Sequence, residues 1–466
     1  MKVKRDYFIK NHSLLFKIIE VKTFLCYNHL GDYFFRSDTM TNEEKELLDI
    51  IKEDTMPALG CTEPIAVCYL GAFIKKYIKD DIAKTNEIDV VVSKNIYKNG
   101  KSVTIPNTGT CGLDLAAILG LSGGNKDDGL LVLTKFTDEM IARAKELRDT
   151  LNIKLSYDED TPDIYVKMSV KFDDMTVEGL LQKGHTNVEY IKVDDEVLYE
   201  NKLDEAKDDV KEFMSKLTLK KIKELVLSTP MEELAFIEEG VEMNMRAANE
   251  GLKLKNSNLL GQSLKKMENK NIISNDAYTR TRILTAAAAD MRMSGGNCMV
   301  MTSGGSGNQG INVIIPIYLI YEEFDLDKED MIRAIYFGHA INRFVKTFSG
   351  KLSGMCGCAI AAGLGAAAGI TMMMGGTDEQ IEGACSNMFA NLTGLICDGA
   401  KNTCSLKLST CAGEAVLSAF LALNGCTPKE NVGVVSGTIE DTIKNVGLLC
   451  RSAFNRVDDV MLEIIK

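Results

Sequence analysis

Four cysteines sit in segments whose composition could do chemistry. Cys356 and Cys358 lie in SGMCGCAIAAG, and Cys397 and Cys404 bracket DGAKNT in GLICDGAKNTCSLK. A polar Gly/Asn loop between two thiols frees the backbone to wrap a small inorganic body. It also offers N–H groups to the sulfur atoms of that body. Zinc fits less well, because structural zinc sites use paired knuckles with two to four residues between thiols. Four-thiolate electron carriers have compact signatures that are absent here. The spacing leaves two readings open, a cluster and a set of buried thiols, since free cysteine packs as a small hydrophobe.

A fifth cysteine stands in PALGCTEP at 57–64. Pro57 and Pro64 bracket a turn, and Thr62 is expected to cap the helix that follows. Cys61 would then sit at a helix N-terminus, where the dipole favours a thiolate able to act as base or ligand. A cysteine buried beneath a structural turn is the alternative. SGGSGNQGIN at 303–312 leads into an apolar run with strand character, INVIIPIYLI, and could present N–H groups and amides to a carboxylate. It lacks the Lys-Ser/Thr of a phosphate loop, and no strand precedes a dinucleotide fingerprint. KGHTN at 183–187 holds His185, which in a turn is more often structural than catalytic. His339 lies in a helical pattern and reads as a core or surface residue. NTGTCG (107–112) and SKNIYKNG (93–100) are further polar loops.

The elements that must position these residues fall into two regions. Between 40 and 215, EIDVVVS, KSVTIP, LLVLT, DIYVKMSVKF, MTVEGLLQ and VEYIKV read as strands among helices. Met40 opens TNEEKELLDIIKED, in which Thr41 and Glu44 predict a capped helix. Between 216 and 466 the pattern is helical, with long Gly/Ala stretches. The expected fold is α+β: a mixed α/β domain carrying the GCTEP motif, then a largely helical catalytic domain. Residues 1–39 are basic and aromatic and read as an atypical extension.

Composition narrows the function classes. The net charge of −12 argues against nucleic acid and anionic membranes. The uncharged segment Leu352 to Thr377 is small-residue rich and reads as a buried core helix rather than a membrane span. Thirteen cysteines, an odd number, without a secretory pattern predict reduced thiols in a cytoplasm.

ALGCTEP (58–64), KNG (98–100), GHTN (184–187), GGSGNQGI (304–311), LSGMCG (352–357), AAAG (366–369) and ICDGAKNTC (396–404) occur in order. Together they resemble the L-cysteine desulfidase family, whose catalytic half is similar to the alpha region of the iron–sulfur L-serine dehydratases. The resemblance runs from about residue 41 to 466. It implies an oxygen-sensitive lyase with a [4Fe–4S] cluster held by Cys356, Cys397 and Cys404. Cys356 is preferred over Cys358 because it matches the LSxxC pattern.

Three thiolates would leave one iron open as a Lewis acid, suited to elimination rather than electron transfer. The implied reaction converts L-cysteine to sulfide, ammonia and pyruvate. Cys61 is the expected base, or a displaceable fourth ligand. Ser306, Asn308 and Gln309 are expected to bind the substrate carboxylate, with His185 and Asn187 orienting it. L-serine is the rival substrate, and a non-catalytic iron–sulfur protein the rival class. A pyridoxal-phosphate lyase needs a Schiff-base lysine near a phosphate cup, which is not evident. The expected partner is the small-molecule substrate, and a homo-oligomer is compatible with the sequence.

Overall fold

A computed structural model describes residues 40–201, 207–255 and 259–465. The stretch 1–39 lies outside the described residues. The helix read from TNEEKELL spans Asn42–Asp54. Thr41 Oγ1 accepts from the Glu44 N–H at 3.2 Å, and a Glu44 carboxylate oxygen accepts from the Thr41 N–H at 2.7 Å. Two otherwise orphaned N–H groups are thereby satisfied.

Eight strands are described: β1 (Pro57–Ala58), β2 (Glu87–Ser93), β3 (Ile153–Asp158), β4 (Tyr165–Lys171), β5 (Thr176–Gln182), β6 (Val188–Val193), β7 (Glu196–Glu200) and β8 (Val300–Met301). Six of them form a sheet ordered β3-β2-β4-β5-β6-β7, with β2 parallel to β3 and the other pairs antiparallel. Alternation decides the buried face: Ile88, Val90 and Val92 of β2 are fully buried. Helices Thr62–Lys75 and Leu113–Gly123 share this core. They approach so closely that a Cβ on Gly120 would lie 2.0 Å from the Cys68 carbonyl oxygen.

Three expected strands take other forms. KSVTIP makes only a single bridge, Thr104 to Cys111, around the NTGT turn. LLVLT is a 3-10 turn and loop whose Leu130, Val132 and Leu133 are buried without pairing. Its polar groups are met locally, as by Thr134 Oγ1 donating to the Leu131 carbonyl at 2.7 Å. INVIIPIYLI lies inside the 18-residue helix Gly307–Phe324. β-branched residues favour strand only weakly, and burial on nearly every side of this helix overrides that preference.

The helical region has its own core. Gly338 and Gly365 bring helices Lys328–Ser349 and Gly363–Met373 into near backbone contact, since a Cβ on Gly365 would meet the Gly338 carbonyl oxygen at 2.2 Å. The uncharged stretch from Leu352 is buried in this core, as its composition predicted. Cys404–Leu423 is long and apolar enough to cross a membrane, yet its buried face joins the same core. Leu47, Leu48, Ile50 and Ile51 of the first described helix also join it. The described chain thus passes from the helical core to the sheet core and back, so packing does not divide simply near residue 215. β1 and β8 pair antiparallel, Pro57 with Met301 and Ala58 with Val300. That pairing sets the GCTEP turn beside the SGGSGNQG loop.

Candidate active site

Cys356 and Cys397 are joined by a backbone staple. The Cys356 N–H donates to the Leu395 carbonyl and the Cys397 N–H to the Gly354 carbonyl, both at 2.8 Å. A bridge between Met355 and Ile396 lies between them. Beyond Cys397 the loop turns at Gly399, where φ is +89° and a Cβ would sit 2.4 Å from the Lys98 carbonyl oxygen. Only glycine meets both demands. Asp398 pairs with Lys401 at 2.5 Å and with Lys407, which also donates to the Ile396 carbonyl at 2.7 Å. Cys404 opens the helix Cys404–Leu423, so its thiol stands at a positive dipole end. After Cys356 the chain makes a π-helical turn, Cys358–Ala362, a rare form often found at functional sites. The Asn312 amide donates to the Cys358 carbonyl there at 3.2 Å.

Cys356, Cys397 and Cys404 line one cavity, together with Cys358 and Cys61. The cavity holds about 100 Å³, below the roughly 300–1,000 Å³ of drug-sized ligand sites and suited to a small body. Among the described residues, no three His, Cys, Asp or Glu side chains converge on one point as a mononuclear metal site requires. The three thiols share the lining of one cavity without meeting at a point. Cys356 is held down to about 7, first by a hydrogen bond from the Cys358 thiol, then by backbone N–H groups and Lys407. Burial pushes Cys404 up to about 11 and raises Cys397, the latter against the pull of Lys98. The Cys356 and Cys358 thiols interact directly.

Cys61, not Thr62, is the N-cap of the helix Thr62–Lys75. Its thiol donates to Glu63 Oε2 at 2.8 Å. Burial and the Glu63 carboxylate raise it well above a free thiol, so the dipole does not produce the expected thiolate. Glu63 is itself buried, and its other oxygen accepts from the Asn99 amide at 3.1 Å. The Cys397 thiol lies 4.0 Å from Asn99 Oδ1. A polar chain therefore runs from Cys61 through Glu63 and Asn99 to Cys397. Burial pushes the Glu63 carboxyl up, but His185, the Cys61 thiol and Arg292 more than offset it, leaving it lowered. Lys98, beside Asn99, forms a buried ion pair with Asp458 of the helix Phe454–Ile465.

The SGGSGNQG loop brings Ser306, Asn308 and Gln309 to the cavity wall. Ser306 is the N-cap of the helix Gly307–Phe324 and makes no side-chain cap bond. Arg292, 2% exposed, donates to Asn308 Oδ1 at 2.9 Å. One face of the helix Lys328–Ser349 grips the loop through His339 and Asn342, each 2.8 Å from Ser303 Oγ. One turn on, Lys346 donates to the Gly304 carbonyl at 2.6 Å. The core alternative for His339 is the observed one.

A second chamber adjoins the first. Glu63, Ser306, Lys346, Lys351 and Leu352 line both, and His185 lines the second with Asp54. Burial lowers His185 to about 4 despite Glu63 nearby. Arg292 Nε, Gln309 Oε1 and His185 Nε2 are buried and without a partner among the described residues, which suits a polar ligand. Asn187 lies on neither wall. Its amide donates to the Gln182 carbonyl at 2.8 Å and accepts from Asn201 at 3.2 Å, holding the hairpin turn.

Sequence reading missed Arg292, Lys346 and Lys407. Only helical spacing hinted at Lys346, since 339, 342 and 346 share one face. Arg292 had the weak signal of preceding a Ser-Gly-Gly turn.

The description "serine dehydratase alpha chain" fits residues 127–463, well over half of the chain. The chain is 48% identical over 421 residues to a UPF0597 protein of Clostridium botulinum (strain Okra / Type B1), covering 90% of this chain and 96% of that protein. It is 37% identical over 427 residues to a UPF0597 protein of Desulfotalea psychrophila, covering 90% and 97%. A UPF0597 protein of Alkaliphilus oremlandii is 36% identical over 423 residues.

Proposed function

The chain belongs to the serine dehydratase alpha chain family, and from that premise we propose that it is a β-eliminating lyase acting on a small L-amino acid, with L-cysteine as substrate. The observation that carries this reading is one cavity wall on which Cys356, Cys397 and Cys404 face Arg292, Ser306, Asn308 and Gln309. The thiol set fits a [4Fe–4S] cluster: three sulfurs on the lining of one cavity, with N–H groups at 358–359, 399 and 401 directed to them. When bound, such a cluster supplies Lewis acidity to a leaving sulfide or hydroxide.

The protein's own groups do the rest. The N-terminus of the helix Gly307–Phe324, Arg292 and the Asn308 and Gln309 amides hold the substrate carboxylate. The Glu63 carboxylate, facing both chambers, accepts the α-ammonium. Cys61 and Cys404 share one small apolar cluster, so Cys61 would be the further thiol near a group held by Cys356, Cys397 and Cys404. His185, on the wall of the second chamber, orients the bound amino acid. Elimination leaves aminoacrylate, which hydrolyses to pyruvate and ammonia.

Two leaving groups fit this geometry. The motifs GCTEP, GHTN and ICDGAKNTC support sulfide from L-cysteine, while the family's name supports hydroxide from L-serine. Anaerobic purification, iron and sulfide analysis, and pyruvate assays with both amino acids test the reading. A higher kcat/KM for L-cysteine is expected. Protein that binds no iron, or that is iron-loaded but releases no pyruvate from either, would overturn it.

A further inference from the structure

Elimination needs a group to take the proton from Cα, and the Cys61 thiol is poorly suited because it already donates to Glu63. The wall shared by the two chambers holds another candidate. Lys346 is 5% exposed, and its Nζ is satisfied by one acceptor, the Gly304 carbonyl at 2.6 Å. Among the described residues, its Nζ forms no ion pair with a carboxylate, unlike Lys98. A neutral amine can keep that single donated bond and still point a lone pair at the chamber. An ammonium there would be a buried charge with no carboxylate in direct contact among the described residues.

We propose that Lys346 is the general base of the reaction, taking the Cα proton of an amino acid seated across the threshold between the two chambers. The inference rests on the elimination reading above. The Cα–H bond breaks and its proton goes to Nζ. The electron pair forms the Cα–Cβ double bond, and the Cβ–S bond breaks with its pair leaving on sulfide. Water then converts aminoacrylate to pyruvate and ammonium. Position agrees with this role: Lys346 stands with Ser306 and Glu63 on the common wall, beside the groups assigned to the carboxylate and the ammonium. Burial first, then the positive Lys351 and Arg343, outweigh Asp54 and Glu63 and bring Lys346 down to about 8. His185 and Asp163 also face it. A useful fraction is therefore neutral near pH 7.5, where a base of matched basicity works best.

The test uses the iron-loaded protein with Lys346→Arg, which keeps the charge and a donor for Gly304 but removes the base. Turnover of L-cysteine should fall at least about a hundredfold with KM within threefold, given the usual contribution of a positioned base. Iron content and circular dichroism should match the parent. In D2O, the parent should exchange the Cα proton of L-alanine, which has no leaving group, and the variant should not. Both parent rates should rise with pH through about 8. Parent-like turnover in Lys346→Arg, or a raised KM with unchanged kcat, overturns the assignment in favour of carboxylate anchoring. If the variant does not fold, a parent exchange rate flat from pH 6.5 to 9 overturns it as well. Exchange of L-alanine without pyruvate formation leaves Lys346 standing and removes only the leaving-group reading. Neither exchange nor pyruvate removes both.

Discussion

Lys98 and Asp458, 360 positions apart, meet in an ion pair whose side chains are 1% and 5% exposed. The pair fastens the last described helix to the KNG segment, whose Asn99 reaches Glu63 and whose Lys98 carbonyl touches Gly399. Lys94 pairs with Asp459 alongside, at 2.8 Å. The last described helix is thereby tied, through the KNG segment, to the thiol loop. Breaking one partner of a buried pair strands a charge, at about 3–5 kcal/mol. Asp458→Asn should lower the denaturant midpoint accordingly. Replacing both partners, as Lys98→Met with Asp458→Leu, should cost less than Asp458→Asn alone, and an equal or larger loss would contradict the account.

The three thiols should differ sharply from their neighbour. Cys404→Ser, Cys397→Ser or Cys356→Ser should abolish stable iron binding. Cys358→Ala removes only the donor to Cys356, and loss of such a supporting contact weakens metal sites by about 10–100-fold. Iron retention during anaerobic dialysis against a chelator separates the two classes. A Cys358→Ala protein that loses all its iron would make Cys358 a ligand.

Gly399→Ala adds a Cβ where φ is +89° and the Lys98 oxygen is 2.4 Å away. Strain at a left-handed position costs about 1–3 kcal/mol. The thiol loop should move before the fold fails, so iron content should drop further than the melting temperature suggests. Unchanged iron content would show that the loop tolerates the shift.

Arg292→Met removes the charged donor to Asn308. A charge-assisted hydrogen bond is worth about 1.5–3 kcal/mol, so KM for the amino acid should rise at least tenfold. Asn308→Ala should act in the same direction. The two together should be less than additive, because they remove one contact, and full additivity in a double-mutant cycle would separate their roles.

Acid should destabilise the fold through its buried histidines. Burial lowers His339 to about 3 and His185 to about 4, against about 6.5 in an unfolded chain. The unfolded state binds more protons between these values. Stability is therefore intact above pH 6.5 and falls as pH drops toward 4, by roughly 1 kcal/mol per pH unit per histidine. Urea midpoints between pH 4.5 and 7.5 measure this slope. His339→Gln, which keeps a polar group near Ser303, should flatten it, and an unchanged slope would exclude His339 as a source.

Much of the site could be read before any coordinates. The thiols, the GCTEP turn and the Ser306–Gln309 loop stood out because each lies in a distinctive run of glycine and polar residues, and packing brings them to one cavity. His185 lines the adjoining chamber, while Asn187 stabilises its own turn. Arg292, Lys346 and Lys407 stayed hidden, because charged residues inside helical patterns look like ordinary solvated positions.

The division follows from physics acting at different ranges. Local signals are written in short stretches: the Thr41–Glu44 capping box, the alternation of β2 and β4–β6, and the spacing of cysteines. By themselves these determined an α+β chain, while the choice of thiols came from the family resemblance and not from spacing. Packing decided the rest. It made INVIIPIYLI a helix by burying it on nearly every side. It paired β1 with β8, stapled Cys356 to Cys397, and left Lys346 buried without a carboxylate partner among the described residues. Burial and charge pairing depend on what arrives from hundreds of residues away, and no window of sequence contains that information.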